Sequence, residues 1–302
     1  MIPTESHLTY VLVTPARNEV GFIEETIKSV IGQTTLPAKW VIVSDGSTDG
    51  TDDIVRKYAE HQPWIHLVAM PPRAERNFAG KVHAFNAGYA KLKGLDYDIV
   101  GSLDADITFE EGYMAFLLAK FDANSKLGIC GTPFSEGGET YDFRFSATEH
   151  VSGACQLFRR QCFEEIGGYV PVKGGGIDLI AVLTARMKGW ETRTFTEKHS
   201  LHHRPEGSAG GNVIRARFKD GQKDYVLGAH PLWEVFRALY QMTKAPYVIR
   251  GAAVISGYVW NAIRNVDKSV TGELMRFRRN DQMRRLRMFI LNTLFLARRN
   301  RD

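Results

Sequence analysis

Cysteine is scarce in this 302-residue chain: Cys130, Cys155 and Cys162 are an odd number with no CxxC pair. That excludes a disulfide framework and suggests no zinc cluster, so the three are expected as packed, reduced thiols. Glycine cradles for phosphate are missing too. The stretch "TPARNEVG" after the first strand-like run has no G-x-G-x-x-G, and no Walker A sequence occurs. Long apolar runs are also absent: "GAAVISGYVWNAI" and "MFILNTLFLA" both fall short of the roughly 20 residues a spanning helix needs. The opening "MIPTESHLTY" carries an early acid and no apolar core of a secretory signal, so the chain is expected in the cytoplasm.

What is present describes a globular protein, with 44% hydrophobic and 24% charged residues. The net charge of +5 is unevenly placed. From Arg264 to the end, 11 Arg and Lys stand against 4 Asp and Glu, an excess larger than the whole chain's net charge, so the body before it is slightly acidic. A cationic tail on such a body suits an anionic phospholipid surface better than a nucleic-acid groove, which would need basic residues across the folded body. A solvated Arg-rich helix is the competing reading.

Apolar β-rich runs alternate with helix-period segments from the start. "TYVLVTPA", "KWVIVSDG", "IHLVAM" and "DIVGSLDAD" read as strands; "GFIEETIKSVIGQ", "GTDDIVRKYAE" and "GKVHAFNAGYAKL" read as helices. The first helix gathers Phe22, Ile23, Ile27, Val30 and Ile31 on one face, and Asp49 or Thr51 can cap the second. Strand, helix, strand at this spacing predicts right-handed crossovers and an α/β architecture with a mainly parallel central sheet flanked by helices. Ligands of such sheets bind beyond the carboxyl ends of the strands. Those ends carry Pro15-Ala16-Arg17-Asn18-Glu19, Ser44-Asp45-Gly46-Ser47 and Asp104-Ala105-Asp106. Two uncompensated carboxylates so close together repel and resist burial, which makes a divalent cation the natural partner of the Asp-Ala-Asp stretch.

The stretches "VTPARNE", "VIVSDGSTDGT", "GKVHAFNAGYA", "SLDADI", "SGACQLFRRQCFEEIGGY", "GGGID" and "HHRP", in this order from Tyr10 to Pro205, resemble the glycosyltransferases of family 2. These are nucleotide-sugar-dependent enzymes with the GT-A fold. The resemblance implies a catalytic domain over 1–205. Residues 206–302 then form a flexible loop and a helical, basic extension, similar to a branch of bacterial enzymes that build cell-surface polysaccharides.

By the same resemblance, Pro15, Ala16, Asn18 and Glu19 line the nucleotide base and Asp45 reads the imide N–H of a uracil-type base, as an acceptor-only carboxylate can. Lys81 contacts phosphate or ribose. Asp106 binds Mg²⁺ or Mn²⁺ at the diphosphate while Asp104 leans toward ribose or metal, and on a strand end such i, i+2 carboxylates would share a face. Asp178, after three glycines, is the general base; many relatives have Glu-Asp where this chain has Ile177-Asp178. One histidine of the "HHRP" stretch ligates the metal or touches the diphosphate. Adjacent residues on an extended segment face opposite ways, and the expectation is His203, with Arg204 near the phosphates.

Purely structural roles compete at several positions: a turn for Asp45, an exposed lysine for Lys81, a helix N-cap for Asp178. "PEGSAGGN" reads as a loop able to close over the donor. The two short apolar segments read as amphipathic helices at a bilayer interface, or as helices packed on the protein.

The implied activity is inverting transfer of a sugar from a nucleoside diphosphate, a UDP-sugar favoured, to a hydroxyl of a lipid-linked or oligosaccharide acceptor at the inner face of the cell membrane. Transfer to polyprenyl phosphate and a non-catalytic nucleotide-sugar-binding protein are the alternatives.

Overall fold

The structure, a computed structural model, describes residues 7–72, 78–135, 147–172, 174–204 and 213–299. The chain forms two compact units, Met1–Pro205 and Glu206–Asp302.

In the first unit the elements run β1 (Tyr10–Ala16), α1 (Ile23–Ile31), β2 (Lys39–Asp45), α2 (Thr51–Ala59), β3 (Ile65–Met70), α3 (Phe78–Ala90), β4 (Ile99–Leu103), β5 (Ile107–Thr108) and α4 (Tyr113–Ala123). They continue with β6 (Leu127–Gly131), β7 (Phe134–Ser135), β8 (Cys155–Arg159), α5 (Arg160–Glu165), α6 (Ile177–Met187), β9 (Glu191–Thr194) and β10 (Ser200–His202). The main sheet has the order β3-β2-β1-β4-β8-β6-β9, and β5-β10-β7 form a second, small sheet.

The expectation of a mainly parallel sheet holds: β1 runs parallel to β2 and β4, β2 to β3, and β6 to β9. One strand departs from it, β8, which lies antiparallel between β4 and β6. The core follows the sequence pattern. Central strands are buried on both faces, so Val11, Leu12, Val13, Val41, Ile42 and Val43 are all solvent-free. Helix α1 buries Ile23, Ile27 and Val30 as its periodicity requires. The three cysteines are buried thiols, and burial pushes Cys155 and Cys162 up to about 12, far from any reactive thiolate.

The second unit contains α7 (Val213–Val226), α8 (Pro231–Met242), α9 (Ile249–Ile263) and α10 (Gly272–Arg299). Its centre is ionic. Asp224 accepts hydrogen bonds from Arg237 and, at 2.7 Å, from Arg278, whose other nitrogen donates to the Leu227 carbonyl at 2.8 Å. Burial alone would raise Asp224, but these two guanidiniums outweigh it and hold the carboxyl below its usual range. Glu234 is fully buried beside this cluster, and desolvation, reinforced by the Asp224 charge, pushes it up to about 8. Arg279 donates to the Gly228 carbonyl at 3.1 Å. Two arginines of the basic tail, Arg278 and Arg279, are therefore engaged within the unit, which lessens the tail's share of cationic surface.

Helices α7 and α9 cross at glycines. A Cβ on Gly221 would stand 1.9 Å from the Val254 carbonyl oxygen, and one on Gly257 1.9 Å from that of Phe218. The obstacles are backbone atoms that cannot turn aside. Gly257→Ala is accordingly expected to force the two helices apart and destabilise this unit by about 1–3 kcal/mol, the usual cost of overpacking. Thermal unfolding followed by circular dichroism measures it, and an unchanged transition would show that the crossing can yield. Among the described residues no helix is long and apolar enough to cross a membrane.

Candidate active site

Two loops at the carboxyl edge of the sheet clasp one another. Asn18 adopts φ 55° after β1, and its side-chain oxygen accepts from the Thr48 amide at 2.9 Å while its own amide donates to Ser47 Oγ at 3.1 Å. The Glu19 amide donates to Thr51 Oγ1 at 2.8 Å and the Val20 amide to Asp49 at 3.0 Å. Asp49 also accepts from the Thr51 amide and hydroxyl, at 3.1 and 2.6 Å, at the start of α2. "PARNE" and "SDGSTDGT" thus build one rim. Asp45 is buried on it and pairs with Arg17 at 3.8 Å. Ala16 lies in the hydrophobic core, so only its backbone can line a ligand.

Arg17 was no candidate in the sequence. What could have drawn attention to it is position: it follows β1 directly, next to the strand whose end carries Asp45.

Asp104 and Asp106 lie in the turn between β4 and β5, not on the strand itself, and their carboxylates find different partners. This moves both from the strand end, to which the i, i+2 alternation applied, into the turn. Asp104 forms an ion pair with Lys81 of α3. Asp106, nearly buried, has His202 Nε2 at 3.4 Å and Arg204 Nε at 3.8 Å. Arg204 also forms an ion pair with Glu19 and stacks over Phe22 at 5.1 Å, so one guanidinium joins the rim to Asp106.

The preference for His203 is corrected. Strand β10 pairs antiparallel with β5, setting His202 opposite Ile107, and the His202 ring meets the Asp106 carboxylate. The His203 ring instead binds Thr108 Oγ1 at 2.8 Å, and its amide donates to the Asp106 carbonyl at 3.0 Å.

Asp178 sits in the first turn of α6. It is not the N-cap, which is Gly176 at φ 88°. Its Oδ2 accepts from the Gly153 amide at 3.3 Å. The site's charges meet at Lys81. Burial alone would lower this lysine, but Asp104 above all, then Asp178 and Asp106, overcome it and hold the ammonium above its usual range. Asp104 is raised, by burial first and by the Asp106 charge second, with Lys81 opposing. Burial pushes Asp106 the same way, yet the His202 hydrogen bond and charge, aided by Arg204, hold it below the usual range.

Among the described residues no cluster of three or more His, Cys, Asp or Glu side chains could hold a metal. An ion completed by substrate needs fewer. Mg²⁺ is commonly held by one or two carboxylates with phosphate oxygens and waters supplying the rest. Asp106 with His202 beside it fits that kind of ion, offering a hard oxygen and an imidazole nitrogen. The "PEGSAGGN" loop, Pro205 to Asn212, lies outside the described residues.

The fold is of the GT-A class, which solved structures share. One is a mannosyltransferase from Pyrobaculum calidifontis in complex with GDP-Man and Mn²⁺, with a TM-score of 0.56 and 19% identity over 87% of this chain and 76% of that one. Another is S. aureus TarS 1-349 in complex with UDP-GlcNAc, with a TM-score of 0.54 and 13% identity over 90% and 78%.

The family described as Glycosyl transferase family 2 matches residues 11–171, more than half of the chain. The chain belongs to this family. Curated relatives include a probable glycosyltransferase YdaM of Bacillus subtilis, 26% identical over 52% of this chain and 42% of that protein. Another is a poly-β-1,6-N-acetyl-D-glucosamine synthase of Staphylococcus aureus, 30% identical over 38% and 26%. The chain therefore spans well under half the length of these two relatives. The family match ends before Asp178, His202 and Arg204.

Proposed function

We propose that the chain transfers a sugar, with inversion, from a nucleoside-diphosphate donor to a hydroxyl of a lipid-linked or oligosaccharide acceptor in cell-surface polysaccharide synthesis. It would act in the cytoplasm at the inner face of the membrane. The observation that carries this reading is the ion pair of Lys81 with Asp104, in a setting where the Asp178 and Asp106 charges also help hold the ammonium above its usual range. A binding-only protein would have no use for three carboxylates acting on one cation.

In this reading Asp45 and the Asn18–Glu19 rim hold the base, the ionised carboxylate accepting from a ring N–H such as that of uracil, and a UDP-sugar is the donor the family resemblance favours. Asp106 and His202 hold Mg²⁺ or Mn²⁺, which when bound supplies positive charge to the leaving diphosphate. Arg204 and Lys81 add fixed positive charge on the donor side, where negative charge develops as the sugar departs. Asp178 takes the proton from the acceptor hydroxyl as it attacks the anomeric carbon. Names of relatives and neighbours agree in kind: one is a polysaccharide synthase, and others hold GDP-Man or UDP-GlcNAc.

The test is a donor screen on the purified chain, following nucleoside diphosphate release and thermal stabilisation across UDP- and GDP-sugars with Mn²⁺ or with chelator. Release from one UDP-sugar that disappears with chelator is the expected result. Release that ignores chelation would remove the metal from the reading, and a preference for GDP-sugars would remove UDP as the donor nucleotide.

A further inference from the structure

Helix α8 is inside out for a helix of a water-soluble unit. Its charged residues are turned inward: Glu234 is wholly buried and Arg237 is paired with Asp224. Its apolar residues Leu232, Val235 and Leu239, at i, i+3 and i+7, form an exposed stripe, with Leu232 at 60% and Leu239 at 57%. The stripe leads into the α8–α9 corner, where Tyr247, Val248 and Ile249 are exposed in succession, Tyr247 at 69%. Lys244 and Arg250 flank these three residues.

Scattered exposed apolar residues are ordinary; three at helical spacing on a helix whose acid is buried and whose arginine is paired are not.

We propose that the α8 stripe and the α8–α9 corner are a docking surface for an anionic phospholipid bilayer. Charge selects this occupant. Between Pro231 and Arg264 the only acid is Glu234, and it is buried, whereas Lys244, Arg250 and Arg264 are cations. Apolar side chains enter the acyl boundary, Tyr247 sits at headgroup depth, and the flanking cations meet lipid phosphates. A second copy is a poor occupant, because a twofold contact sets the same patch against itself and would bring Lys244 and Arg250 against their like.

The surface differs from the cationic tail that the sequence pointed to, since Arg278 and Arg279 are engaged inside the unit. It goes beyond the catalytic reading and does not depend on it, because lipid binding needs no turnover.

The experiment is co-sedimentation of the full chain with vesicles of phosphatidylcholine alone or mixed with phosphatidylglycerol, at low and high salt. The parent is expected to pellet with the anionic vesicles and to release at high salt, where the attraction is screened. The double substitution Tyr247→Ser with Ile249→Ser, and separately Leu232→Ser with Leu239→Ser, should each weaken binding about tenfold, from the apolar burial lost. Val248 is left alone because its φ of 63° makes any exchange there a backbone change as well. Arg284→Gln with Arg287→Gln on α10 should keep parent binding. Circular dichroism and donor-induced thermal stabilisation should be unaltered in every variant, which separates lost docking from lost folding.

Four results would overturn the proposal: corner and stripe variants that bind like the parent, loss in the α10 variant instead, equal binding to neutral vesicles, or a parent that does not pellet but forms a dimer abolished by the corner substitutions.

Discussion

Asp178→Asn is expected to lower turnover by about 10²–10⁴-fold, the usual worth of general-base assistance, while donor affinity stays within a few fold. The substitution keeps size and shape and removes the proton acceptor, together with one of the three negative charges that act on Lys81. The surroundings make the test clean: Oδ2 accepts a single bond from the Gly153 amide at 3.3 Å, and Gly176, not Asp178, caps α6, so the exchange removes no helix cap. Single-turnover kinetics with saturating donor, beside calorimetry of donor binding, separates the two effects. Near-normal turnover would mean that the base lies elsewhere or that the acceptor is already an anion, as in polyprenyl phosphate. Lost donor binding would make Asp178 a donor ligand.

Asp106→Ala is expected to abolish metal-dependent donor binding and leave the fold intact. The residue lies in the turn after β4, outside the apolar core, and its carboxylate faces His202 and Arg204. Calorimetry of nucleoside diphosphate with and without Mn²⁺ reads the effect. The parent should lose affinity when the metal is withheld, and the variant should have the same weak affinity in both conditions. Wild-type affinity in the variant, or metal-independent binding in the parent, would remove Asp106 from the metal role. Arg204 would lose one of its two acidic partners in this variant but keep Glu19, so a small shift in stability is compatible with the reading.

Much of the first unit was legible because its signals are local. A β-rich run feeding a helix-period segment describes itself, and β1 to β4 with α1 to α3 stand where those runs predict. The acids at strand ends were legible for the same reason. The antiparallel insertion of β8 was not, since "CQLFR" carries no mark of direction and a buried central strand reads alike either way. Lys81 could be noticed as a lysine at a helix start. That Asp178 joins the Asp-Ala-Asp pair in acting on it could not be.

By itself the sequence determined the α/β alternation of the first unit and that Asp45, Asp104 and Asp106 stand at strand ends, because periodicity and strand ends are properties of neighbouring residues. Only the tertiary structure decided that His202 faces Asp106, that Arg204 joins Asp106 to Glu19, and that α8 turns its charges inward. The physical reason is parity and register. Side chains on a strand alternate with a period of two, so either histidine of the pair could face the acid until β10 chose its register against β5. For α8, the pattern marks an apolar stripe and a charged one, but which of the two is buried is settled by Asp224 on the preceding helix α7 and by Arg278 on α10.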